Sequence, residues 1–143
     1  MTTNPASLRI QRRIEWSDTD ASGLWHNTAA FRMVEWAETA LLERLGILDD
    51  VYAHLPRARI EVDFHLPLAF RDLVDATISV VRVGTSSLTY DFTIDRGGER
   101  CVTMKVVTAL VDSGGGRRTW PESHRRLLTE AGAQPPELLV VES

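Results

Sequence analysis

The sequence predicts an α+β chain, with one long helix ahead of an antiparallel meander. Three observations carry this. Apolar residues recur at helical spacing from Ala30 to Leu45. After Pro56 the pattern changes to period two and returns in four separate runs. Between the last two of those runs, "RGG" at 96–98 reads as a hairpin turn.

The elements follow in order. Residues 8–16 alternate well enough for a first strand, with Leu8, Ile10, Ile14 and Trp16 on one side and Arg12 intruding among them. The helix runs from about Thr28 to Leu45, with Ala30, Met33, Val34, Ala37, Leu41 and Leu45 on its apolar face. Asn27 or Thr28 can cap its start, and Gly46 suits the left-handed position just past its end. A loop through Pro56 leads to "ARIEVDFHLPL", which puts Ile60, Val62 and Phe64 on one face, with Pro67 at an edge, bulge or strand end. "LVDATISVVRVG", "SSLTYDFTID" and "ERCVTMKVVTALVD" are the remaining strands. "SGGG" closes the last of them, and a short helix follows from about Pro121 to Ala131. The residues from "AQPPELL" onward read as a loose tail. The economical packing curls the sheet around the long helix.

The 143 residues suit a single domain with a core over about residues 8–130. A net charge of -4 argues against nucleic acid, which requires a basic face to displace counterions. Cys101 is the only cysteine, so no intrachain disulfide forms, and its strand setting suits a small core residue. No apolar stretch approaches the roughly 18 residues of a membrane span, and the first residues lack the apolar segment of a signal peptide. A cytoplasmic protein is expected.

The seam between first strand and helix, "DTDASGLWHN" at 18–27, carries more chemistry than a connection needs. Together with the helix phase set by Glu35, "LLERLGI", the strand series from "DFHLPLAF" and the terminal "VDSGGGRRTWPESHRRLL", it resembles the hotdog fold. The resemblance is to the 4-hydroxybenzoyl-CoA thioesterase family and its short acyl-CoA thioesterase relatives. The specific part is an aspartate, a glycine three residues on, a helix start, and a glutamate fifteen residues after the aspartate: Asp20, Gly23 and Glu35. Two departures stand out. Many relatives carry an aromatic residue at the place of Ala30, and several a tyrosine or asparagine at that of His26.

The resemblance implies hydrolysis of an acyl- or aroyl-CoA thioester, with Asp20 as the catalytic carboxylate. Asp20 could activate water or attack the thioester carbonyl itself. Its bland reading is an acidic residue favoured by a helix dipole. Asp18, the other carboxylate, is expected to orient the turn through backbone hydrogen bonds. Gly23 permits a tight turn and close approach of a ligand. The helix start offers unpaired N–H groups to a developing oxyanion, and the resemblance makes the Asn27 amide the donor. Asn27 could equally be a plain cap. His26 could bond the attacking water or help the thiolate leave, or simply pack beside the turn. Trp25 suits a packing or acyl-pocket wall. Glu35, eight residues beyond Asn27, should share its helical face and support catalysis, bond across an interface, or rival Asp20. His65 could reach a pocket or be structural, and His54 and His124 read as loop and helix-start surface residues.

Coenzyme A would be part of the substrate, and no cofactor is expected. No metal is expected either, since no histidine pair has ligand spacing. There is no G-x-S-x-G elbow and no phosphate-binding loop. Candidate contacts for the phosphates of coenzyme A are Arg57, Arg59, Arg82 and Lys105, with Ser86 and Ser87 of the "GTSS" turn as donors. The resemblance further implies a homodimer or homotetramer joined through sheet edges. Two alternatives remain: release of an acyl or polyketide chain from an acyl carrier protein, and a non-catalytic protein that binds an acyl thioester.

Overall fold

The computed structural model describes residues 4–140. Its elements are β1 (Ser7–Arg13), a single 3-10 turn (Trp16–Asp18), α1 (Ala29–Arg44), α2 (Leu48–Val51), β2 (Arg57–Phe64), β3 (Leu73–Val83), β4 (Ser87–Arg96), β5 (Glu99–Ala109) and α3 (Glu122–Glu130). The strands form one antiparallel sheet in the order β1-β3-β4-β5-β2. This is the expected architecture, a five-stranded sheet with one long helix and a short C-terminal one.

The helix sits where its apolar stripe requires. Ala30, Met33, Val34, Ala37 and Leu41 are all buried, facing a sheet surface of Ile78, Leu88, Tyr90, Phe92, Ile94 and Met104. Cys101 is buried in the same core. α1 ends in a Schellman motif: the Gly46 N–H bonds the Glu43 carbonyl at 3.0 Å and the Ile47 N–H the Leu42 carbonyl at 3.1 Å. Gly46 has φ +76°, and an added Cβ there would meet no atom within 4 Å. Gly46→Ala should therefore cost only the left-handed backbone strain, about 1 kcal/mol. Urea denaturation would read it, with catalysis unchanged. Gly97 and Gly98 both have positive φ, as a two-residue type I′ hairpin between β4 and β5 demands.

Two expectations need correction. Trp16 does not join the inward face of β1. It lies in the 3-10 turn, 76% exposed, edge-on to Phe70 at 5.7 Å between ring centroids. The strand has ended at Arg13, so period two no longer governs position 16. On β2, at the sheet edge, Val62 packs against the core while Ile60 and Phe64 are 38% and 40% exposed. The C-terminal segment is also not loose. It runs parallel to β1, with the Gln11 N–H bonded to the Glu137 carbonyl at 2.8 Å and the Glu137 N–H to the Arg9 carbonyl at 2.9 Å. Buried Gln11 accepts the N–H groups of Leu139 and Val140, and Arg12 pairs with Glu137 at 2.7 Å. The tail thus covers the β1 edge, while the β2 edge stays open.

Candidate active site

The seam folds as a small hairpin. Thr19 and Trp25 bridge its arms. The Asp20 N–H donates to the Leu24 carbonyl at 3.0 Å, and the Gly23 N–H donates to the Asp20 carbonyl at 3.0 Å. Ala21, Ser22 and Gly23 form the three-residue loop, and Gly23 supplies its left-handed position with φ +84°. Beyond the hairpin, the Trp25 N–H bonds the Leu68 carbonyl at 2.8 Å, fixing the return arm to the loop after β2.

This turn presents the Asp20 carboxylate to solvent and gives it two donors. The Ser22 hydroxyl donates to Asp20 Oδ1 at 2.5 Å and the Ser22 N–H at 2.8 Å. The Ser22 hydroxyl and then its N–H hold the Asp20 carboxyl below its ordinary value, with a smaller contribution from His26.

The return arm leads into α1. The Ala29, Ala30 and Phe31 N–H groups bond the carbonyls three residues back, at 2.9, 3.2 and 3.1 Å. His26 Nδ1 accepts the Thr28 N–H at 3.2 Å and lies 2.8 Å from the Thr28 hydroxyl. The cap is therefore the His26 ring, and neither Asn27 nor Thr28 caps through its side chain, a correction to the sequence reading. Among the described residues, the Asn27 N–H has no intramolecular acceptor.

Asp20 and Asn27 line one cleft of about 360 Å³, with Ser22, Leu24, Trp25, Phe64, His65, Leu66 and Pro67. Trp25 is 5% exposed and serves as both core and cleft wall. Ser22 and Phe64 join this cleft unexpectedly, and His65, which could reach a pocket, does so. Asp-x-Ser is the spacing of an Asx turn, so Ser22 had a local signal. Phe64, the last residue of β2, had none, because only the sheet brings it to the seam. His65 Nε2 lies 3.0 Å from the Thr103 hydroxyl of β5.

The other proposed residues lie elsewhere. Glu35 lines a separate cleft of about 540 Å³, with Glu38, Tyr52 and Arg57 among its walls. Asn27 precedes the helix, so helical spacing does not carry Glu35 to its side. Arg57 is committed to Glu38 at 2.8 Å, and exposed Arg59 pairs with Glu61 at 2.5 Å. Arg82 sits in a cleft between β3 and α3 beside Arg125 and Arg126. Lys105 is exposed on β5. Ser86 is 5% exposed, and its carbonyl receives the Leu110 N–H at 2.7 Å and the Trp120 indole at 3.1 Å. Its backbone holds the turn together, and its hydroxyl accepts from Arg117 at 3.5 Å. Ser87 is half-buried, and its carbonyl accepts the Gly84 N–H at 2.9 Å. Arg59, Arg82, Ser86 and Ser87 do not line the Asp20 cleft.

Among the described residues, no group of three or more histidine, cysteine, aspartate or glutamate side chains could hold a metal ion. No helix is long and apolar enough to cross a membrane.

Comparison with known proteins agrees with this fold. The chain is 28% identical over 118 residues to a 1,4-dihydroxy-2-naphthoyl-CoA hydrolase from Prochlorococcus marinus, covering 74% of this chain and 76% of that one. A thioesterase from Thermus thermophilus, complexed with coenzyme A and Zn, superposes with TM-score 0.76 at 26% identity, covering 84% and 90% of the two chains. A 1,4-dihydroxy-2-naphthoyl-CoA thioesterase from Synechocystis shares the fold at TM-score 0.76 with 13% identity, over 87% of this chain and 96% of that one. The model of the Thioesterase-like superfamily matches residues 14–137. Strand order, central helix and a match over most of the chain place this protein in the Thioesterase-like superfamily.

Proposed function

We propose that the protein hydrolyses acyl- or aroyl-CoA thioesters, with Asp20 and the Asn27 backbone amide as the reacting pair. The carrying observation is that Asp20 and Asn27 line the same cleft and that the Asn27 N–H, at the helix start, has no acceptor among the described residues. The thioester carbonyl oxygen would lie at the Asn27 N–H, which stabilises the negative charge as the carbonyl carbon becomes tetrahedral. Asp20 would take a proton from water as the water oxygen bonds to that carbon. Alternatively its own oxygen would bond first, expelling thiolate and leaving a mixed anhydride for water to cleave. Either route ends with a free acid and the thiol of coenzyme A. Trp25, Phe64 and Leu66 offer an apolar wall for the acyl or aryl group. Arg82 and its neighbours on α3 supply cations suited to the substrate's phosphates.

The open β2 edge and the half-exposed Ile60 and Phe64 favour a homodimer, alone or paired into a tetramer, joined along β2. Both residues would then be covered, and Phe64 lines the Asp20 cleft. Sedimentation analysis reads the assembly directly.

The test is thiol release from aroyl-, short-, medium- and long-chain acyl-CoAs. Turnover with at least one class is expected. No release from any CoA ester, with release from an acyl carrier protein thioester, would transfer the reading to that substrate. No release from either would leave thioester binding alone.

The pH profile carries a further expectation. Asp20 must be ionised to act, and Ser22 keeps its carboxyl below the ordinary carboxylate value. Activity should therefore persist as pH falls and be lost only through that lowered range. Ser22→Ala removes the hydroxyl donor and should move the acid limb of kcat/KM to higher pH. An unmoved limb would mean that Asp20 does not set it.

A further inference from the structure

We infer that Asp18 and Arg32 form a positioning pair that sets the distance between the Asp20 carboxylate and the Asn27 amide. The inference rests on the reading of those two groups as the reaction centre. Asp18 is 3% exposed. Its Oδ2 accepts the Glu15 N–H at 2.8 Å, and its Oδ1 is bound by the Arg32 guanidinium from the first turn of α1. Its N–H donates to the Glu15 carbonyl at 3.0 Å, and its own carbonyl accepts the His26 N–H at 2.6 Å.

One residue therefore holds both arms of the seam and the helix behind them. Asp20 lies two residues after it on the outgoing arm. Asn27 lies one residue after its backbone partner on the return arm. Arg32 ties the same carboxylate to the rigid body whose start presents the Asn27 N–H. A turn-forming aspartate requires only backbone donors and can stay in water. Burial against an arginine on another element goes beyond that, because a buried carboxylate left without its cation is strongly unfavourable. Neither Asp18 nor Arg32 lines the Asp20 cleft, so the pair acts through the groups that do.

A misplacement of about 1 Å between reacting groups can lower a rate by about 100-fold. Asp18→Asn keeps an acceptor for Glu15 and loses the charge that holds Arg32. Its kcat per folded protomer should fall about 10- to 100-fold, with KM and the acid limb of the pH profile little changed. Arg32 is 45% exposed in its side chain, so Arg32→Met should fold even where Asp18→Asn does not, and should give the same kcat loss. The double variant should be no slower than the slower single, since both break one interaction.

A folded Asp18→Asn or Arg32→Met enzyme with kcat within about twofold of wild type would overturn the inference, as would a loss confined to KM or multiplicative single effects. Asp20→Asn, assayed in parallel, separates the two claims. If it is inactive while both positioning variants turn over fully, only this inference fails. If it retains full turnover, the reaction centre itself has been misassigned.

Discussion

Asp20→Asn should lower kcat for the best CoA thioester by about 10²- to 10⁴-fold, the usual contribution of a positioned acid or base. Asn is nearly isosteric, and its side-chain oxygen can still accept the Ser22 N–H, so the turn should persist. The side chain is exposed, so the variant should fold and assemble as wild type does. Glu35→Gln should retain turnover, because Glu35 faces the cleft shared with Glu38 and Arg57 and not the one containing Asp20. The reverse pattern would move the catalyst onto α1. Turnover in ¹⁸O-water then tests for the anhydride route. Label appearing in the Asp20 carboxylate marks a mixed anhydride cleaved at its aspartyl carbonyl, whereas label only in the product acid fits either activated water or an anhydride cleaved at its acyl carbonyl.

Replacing the Asn27 peptide N–H by an ester oxygen should raise the transition-state barrier by about 3 kcal/mol, a 10²- to 10³-fold loss of kcat. The change deletes one donor and leaves the asparagine side chain in place. It removes no intramolecular hydrogen bond, since this N–H has no acceptor among the described residues. Asn27→Ala should do the opposite, sparing catalysis because the donor is main chain. An ester variant with wild-type kcat would exclude the Asn27 amide as the oxyanion donor. A large loss in Asn27→Ala with none in the ester would assign the role to the side-chain amide.

The sequence alone determined what is local. The apolar phase of 30–45 located α1 within a residue or two at each end, because a buried helix face repeats every 3.6 residues. Gly46 marked its exit, and β3, β4 and β5 emerged from strict alternation. Asp20 and Gly23 stood out because the resemblance rests on their spacing within a few consecutive residues, and Gly23 suits a tight turn. The tertiary structure decided everything that depends on long-range pairing. Alternation shows that a strand buries one face, but it does not say which strand lies beside it. The placement of β2 at the sheet edge, with Phe64 in the Asp20 cleft, was therefore not legible. The C-terminal segment looked loose because its order comes from hydrogen bonds to β1, more than a hundred residues away in the chain. Glu35 looked like a partner of Asn27 by helical spacing. It lines a separate cleft, since packing, and not residue type, decides which polar groups meet in one cavity.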